Sequence, residues 1–179
     1  MNYFQVDEHG LETFGTRLAE GRNFDATIVT MPPKNSSTSP SGILVTRDVA
    51  KELFPDESAL GKTVYTGTSQ PVTILGIIEH MHGSWPGWDK VGNVALFPVI
   101  TDETYARYMV RARPGQRDAM MKMAEEALGK VDNGRVILRV RSLEYVAAST
   151  YAEDRAMALY LAVVIALLLG ISALGIFGL

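Results

Sequence analysis

The last 24 residues, Ala156 to Leu179, carry no charged side chain: AMALYLAVVIALLLGISALGIFGL. As a helix rising about 1.5 Å per residue, such a stretch reaches roughly 36 Å, enough to cross a hydrocarbon core of about 30 Å. A soluble helix of that length keeps a polar face against water, and this one has none. A signal peptide shares the apolar character but is shorter and lies at the other end of a chain. The stretch therefore reads as a transmembrane helix, and everything before it as a domain tied to a membrane.

All 17 Lys and Arg and all 20 Asp and Glu precede Ala156. The mean hydropathy of +0.08 thus averages an ordinary soluble part and a very apolar tail. A net charge of −3 gives no bulk basicity for nucleic acid. The absence of cysteine excludes disulfides and thiolate metal sites without fixing the compartment. The N-terminus, MNYFQVDEHG, has neither a basic n-region nor an apolar h-region. No Lys or Arg follows the apolar stretch to anchor its far side. Both ends read as cut, so the expectation is a fragment of a longer membrane protein, with membrane segments upstream and downstream. An authentic tail-anchored protein is the competing reading. Glu153, Asp154 and Arg155 leave no Lys/Arg excess before the helix, so orientation does not follow from the charges.

Along the chain, Tyr3 to Val6 suits a short strand. Asp7 can cap a helix ending near Phe14, with Gly15 as its stop. Gly21-Arg22 suits a turn, and Ile28 to Thr30 a strand. Residues 31 to 42, MPPKNSSTSPSG, read as a flexible loop from their prolines and serines. Ile43 to Val45 suits a strand, with Thr46 as N-cap of a helix from Arg47 to Phe54, stopped by Pro55. Val64-Tyr65, Pro71 to Glu79 and Val94 to Phe97 suit strands, and PVTILGIIE is the strongest of these. Tyr105 to Ala112 alternates, Gln116 to Lys130 has helical spacing, and Val136 to Arg141 alternates again: a strand–helix–strand pattern. Ser142 can cap a helix from Leu143, and no breaker separates it from the membrane stretch, so one continuous stalk is expected.

Gly61-Lys62-Thr63 looks like the end of a phosphate-binding loop. Asp56 stands where the first glycine should be, and the helix precedes rather than follows, so this is a chance match. His80 and His82 in EHMHG have metal-ligand spacing, but a polar loop after a buried strand is the simpler reading. No nucleophile motif is present, and Glu125-Glu126 reads as surface charge. Arg107, Arg111 and Arg113, with Arg135, Arg139 and Arg141, suit the wet face of a sheet, or an anion or lipid headgroup if the strands pair. Trp85 and Trp88 share a Gly/Pro loop. They either pack beneath the domain or contact a partner or the membrane interface. Ala158, Ala162, Ala166 and Gly170 recur every four residues, a spacing that lets another helix approach closely.

These pieces line up with a family. Glu20 to Phe24 (EGRNF) resembles the turn of MacB-type periplasmic core domains. ILVTRDVAKELFPDESALGKTV, residues 43 to 64, resembles their strand, then helix with Ala50 and Leu53-Phe54-Pro55, then the turn at Gly61-Lys62. TILGII at residues 73 to 78, and Leu96-Phe97-Pro98, resemble two further strands. Glu153-Asp154-Arg155 leading into the apolar helix resembles the return to an FtsX-type permease segment. The Ser/Pro-rich residues 31 to 42 depart from the pattern.

The resemblance implies an α+β fold: a mixed-sheet extracytoplasmic domain over residues 1–150, with a strand–helix–strand lobe formed by the termini and an inserted β-rich lobe. A stalk and one transmembrane helix then occupy residues 151–179. It implies a permease subunit of an ABC transporter in the bacterial inner membrane, not an enzyme by itself, with no cofactor or metal. The implied partners are a cytoplasmic ATPase subunit or domain, a second permease chain of the same or a different kind, and a periplasmic adaptor or lipoprotein. ATP-driven helix motion would pass to the extracytoplasmic domain. Two rivals stand beside this reading: a membrane-anchored sensor or ligand-binding domain with a pocket near Trp85 and Trp88, and a metal enzyme built on His80 and His82.

Overall fold

The computed structural model describes residues 1–32, 40–67, 69–84, 87–101, 105–131 and 136–177. Most of the Ser/Pro-rich loop, Trp85 and Arg135 lie outside these. The chain divides into two compact units, Met1–Arg111 and Ala112–Leu179.

The first unit is built on one mixed sheet of six strands: β1 (Asn2–Gln5), β2 (Leu18–Gly21), β3 (Gly42–Thr46), β4 (Thr63–Tyr65), β5 (Pro71–Ile78) and β6 (Val94–Phe97), in the order β1-β6-β3-β5-β2. β4 and β2 both pair antiparallel with β5, the one against Pro71 to Thr73 and the other against Gly76 to Ile78. β3 and β5 are the centre. β3 is buried along its whole length, which is why GILVT shows no apolar/polar alternation.

Successive β3 side chains feed opposite faces of the sheet. Ile43 and Val45 join Val49 and Ala50 of α2 (Arg47–Leu53), with Val72, Ile74 and Ile77. Leu44 goes the other way, to Ile78, Val94, Leu96, Phe24 and Leu11 of α1 (Gly10–Phe14). Each face is thus capped by one short helix. The N-terminal strand enters this same sheet, pairing parallel with β6, so it belongs with the middle of the chain. Its Phe4 packs against the second cluster and its Tyr3 ring meets Phe97 edge-on at 5.9 Å.

Gly15 ends α1 with φ of 71°, its N–H reaching the carbonyls of Glu12 and Leu11, as its position predicts. Gly21 has φ of 83°, and a Cβ there would lie 2.3 Å from the Leu75 carbonyl oxygen, so this turn accepts only glycine. Ile28 to Thr30 forms no strand. Asp25 turns the chain there by accepting from the Thr27 N–H at 2.9 Å, which leaves only Thr30 bridged to Val99.

Thr46 occupies the N-cap position of α2, yet its hydroxyl makes no cap bond. It is 1% exposed, donates to the Gly92 carbonyl at 2.7 Å and accepts from the Val94 N–H at 3.1 Å. The hydroxyl therefore fastens β3 to the approach of β6. Thr46→Val keeps the shape and strands both partners, which costs about 1–3 kcal/mol. The expected result in thermal unfolding of the full chain is a midpoint lower by several degrees; an unchanged midpoint would show that the bond contributes nothing.

The second unit holds α3 (Arg117–Val131), α4 (Leu143–Thr150) and α5 (Ala152–Phe177). Among the described residues, neither Tyr105 to Ala112 nor Val136 to Arg141 belongs to a strand. Alternation gives such a segment an apolar face, but it needs a second layer to cover it. Val136, Leu138 and Val110 remain exposed. The helix expected to run on from Leu143 does so as one segment, Leu143–Ile176, with one local departure from helical geometry. Ser142 caps α4 as predicted, accepting from the Tyr145 N–H at 3.1 Å, and the departure falls at Tyr151, whose ψ is 3°.

Candidate functional site

α5 is a 26-residue helix whose side chains are almost all exposed on every side. With α4 it makes a 34-residue segment, Leu143–Ile176, long and apolar enough to cross a membrane. Leaving so many Leu, Ile and Val side chains in water would forfeit roughly 25 cal/mol per Å² of apolar surface. Hydrocarbon removes that cost. Ala158, Ala162, Ala166 and Gly170 lie on α5, all exposed. Each step of four residues turns about 40° past a full helical revolution, so the four form one slowly winding stripe.

The start of α4 is held inside its own unit. Arg117, at the first turn of α3, pairs with both Asp118 and Glu144. The Asp118 and Glu144 hydrogen bonds push the Arg117 guanidinium still further above its usual range. The Arg141 guanidinium stands 5.4 Å over the Tyr145 ring, a cation–π distance. Arg117, Asp118, Arg141 and Tyr145, with Met121, Val140 and Ser142, line an open cleft of about 390 Å³. Its two arginines are balanced by the neighbouring carboxylates, so the cleft has no net preference for an anion.

In the first unit the described residues between His80 and Asn93 are tied down at several points. Met81 is buried in the second core cluster. The Gly83 N–H donates to the Val91 carbonyl at 2.7 Å, and the Val91 N–H to the Trp88 carbonyl at 3.0 Å. Lys90 and Asn93 both donate to the Glu52 carboxylate of α2. Those two bonds, Lys90 first, hold the Glu52 carboxyl below its usual range. Trp88 is 40% exposed on this anchored loop, so it lies half in and half out of the fold. Trp85 lies outside the described residues.

His80 and His82 are both exposed, and among the described residues no group of three His, Asp or Glu side chains converges as a metal site would. Gly61 is a turn residue with φ of 74°, and its N–H is spent on the Ile74 carbonyl at 2.8 Å rather than offered to a phosphate. Arg107, Arg111, Arg113, Arg139 and Arg141 are exposed, and none lies on a described strand. The anion stripe expected from paired strands is therefore not assembled among the described residues. Sequence reading missed the Glu52–Lys90–Asn93 staple and the Arg117–Glu144 pair. Both join residues far apart in the chain, and no local spacing marks them.

Residues 2–128 match the family model of the MacB-like periplasmic core domain. No curated protein matches the chain. Among solved structures, the periplasmic region of MacB from Actinobacillus actinomycetemcomitans is similar at 15% identity and a TM-score of 0.47. The similarity covers 72% of this chain and 56% of that one.

Proposed function

The chain belongs to the family of MacB-like periplasmic core domains, and from that premise we propose that it is the extracytoplasmic domain and adjoining membrane helix of a MacB/FtsX-like ABC transporter permease. The observation that carries the reading is one of order. The family match runs from β1 into α3, and an apolar helix long enough for a bilayer follows in the same chain. Such a domain handles a substrate or partner outside the membrane, while ATP is hydrolysed by a cytoplasmic subunit or domain. The chain itself performs no catalysis. The membrane is the bacterial inner membrane, with residues 1–150 outside the cytoplasm and residues 151–179 as stalk and span.

Within that reading, the face made by Ala158, Ala162, Ala166 and Gly170 meets another helix of the permease assembly, where small residues permit close approach. The permease acts as a dimer, of like or unlike chains. Trp85 and Trp88 meet a periplasmic adaptor or lipoprotein, and the Glu52 staple fixes Lys90 and Asn93 on the C-terminal side of Trp88.

Mechanical work passes through α4 and α5. Inserting Gly-Pro after Ala148 in the parent transporter removes helical hydrogen bonds and costs about 3 kcal/mol or more of local helix stability. The expected outcome is continued ATP hydrolysis with loss of the transporter-dependent phenotype, while protease resistance of the first unit is unchanged. A transporter that keeps its full activity with the insertion overturns the coupling.

A further inference from the structure

We propose that Ser149 and Thr150 build a joint that sets a bend between α4 and the membrane helix α5. Both hydroxyls turn back onto one acceptor. Ser149 Oγ donates to the Val146 carbonyl at 2.8 Å and Thr150 Oγ1 donates to the same carbonyl at 2.9 Å. The next residue, Tyr151, has φ of −94° and ψ of 3°, against about −42° for ψ in a regular helix. The interruption falls directly after the two hydroxyls.

The usual causes of a kink are few: proline, a Gly/Ser pair, a π-bulge, or a side chain inserted into the hydrogen-bond ladder. No proline or glycine occurs between Leu143 and Leu169. Side-chain hydroxyls competing for a ladder carbonyl remain, and such back-bonding bends helices. The ladder is nevertheless not cut. The Tyr151 N–H reaches the Ala147 carbonyl at 3.3 Å, and the Arg155 N–H reaches the Tyr151 carbonyl at 3.1 Å. The joint thus changes direction while keeping the two helices connected through their backbones.

Its position gives it a use. α4 has its own start, capped by Ser142, and its first turn is held to α3 through Arg117 and Glu144. The charge-free stretch begins at Ala156, a little over one helical turn beyond Tyr151. The bend therefore sits where the chain leaves the bilayer. It sets the tilt at which α5 meets the bilayer, while the unbroken backbone ladder still passes motion of α5 on to α4.

The chain has no cysteine, so two can be introduced without background. Ala147→Cys and Val163→Cys place spin labels on either side of the joint, on exposed positions. The full chain is reconstituted in phosphatidylcholine vesicles and the label–label distance is measured by pulsed electron resonance. A straight helix would place these backbone positions about 24 Å apart. The expected wild-type backbone separation, after allowance for the labels, is shorter. Ser149→Ala with Thr150→Val moves it toward the straight value and narrows the distribution. Each single substitution, which keeps one hydroxyl, moves it part of the way and stands in if the double variant fails to fold. A wild-type separation already at the straight value, or variants that leave it unchanged, overturns the joint. The inference rests on α5 being a membrane span. If that fails, the protein does not float with the vesicles, a result separate from any distance.

Discussion

Leu167→Asp blocks membrane insertion of α5. Leu167 lies near the middle of the charge-free stretch and its side chain is exposed on the helix surface. At the centre of a membrane helix, Leu contributes about −0.3 to −0.6 kcal/mol to insertion and Asp about +2.5 to +3.5. The substitution therefore shifts insertion by about 3–4 kcal/mol, a factor on the order of several hundred. A glycosylation reporter fused across the helix reads this directly. The same carboxylate placed at Ala147, in α4, is expected to change insertion little. Unimpaired insertion of Leu167→Asp would mean that α5 does not depend on hydrocarbon, and the membrane reading would fall with it.

Leu44→Ala gives the largest expected loss of fold stability. Leu44 is 0% exposed at the centre of the sheet, packed with Ile78, Val94 and Leu96. Truncation removes transfer energy and leaves a cavity walled by strands on both sides that have little room to collapse. Such sites cost about 2–5 kcal/mol. For a unit of this size the midpoint of thermal unfolding falls on the order of 10–20 °C. Tyr65→Ala is the matched comparison. Tyr65 is 75% exposed at the end of β4, and its truncation is expected to stay within about 0.5 kcal/mol. Equal effects from the two would mean that the sheet centre is not where the stability lies.

The strands that were legible in the sequence are those whose burial is written into their own residues. PVTILGII reads as β5 and VALF as β6 because β-branched and apolar side chains dominate both. α2, α3 and the cap at Ser142 carry local signals of the same kind. β2 was missed. LAEG has no strand pattern of its own and is a strand because Gly76 to Ile78 of β5 offers it hydrogen bonds. In the other direction, Tyr105 to Ala112 and Val136 to Arg141 alternate well and form no described strand. Alternation records which side would be buried and does not supply the neighbour that buries it. Thr46 shows the same limit at one residue. Its position marked a cap, but the better partners, Gly92 and Val94, come from a distant part of the chain.

The candidate site divides along the same line. The apolar helix was legible whole, because length and absence of charge decide it without reference to any other residue. The half-exposed setting of Trp88 depends on Lys90 and Asn93 finding Glu52, a contact between segments that the sequence does not pair. The departure of Tyr151 from regular helix has a local counterpart in the adjacent Ser149 and Thr150, whose hydroxyls both reach the Val146 carbonyl. Neither residue is a helix breaker in the way that proline and glycine are, so the spacing alone predicts an unbroken helix.

The pairing of Asn2 with Val94 has a consequence for the order of events during synthesis. β1 is made before β6 and must wait for it, so the earliest strand of this sheet is among the last to be paired. The wait ends at Phe97, well before Ala156 is added to the chain. All the pairings of the sheet are therefore available before α5 is made. The pairing of the sheet thus does not wait on α5, and a defect confined to α5 leaves every strand of the first unit its partner.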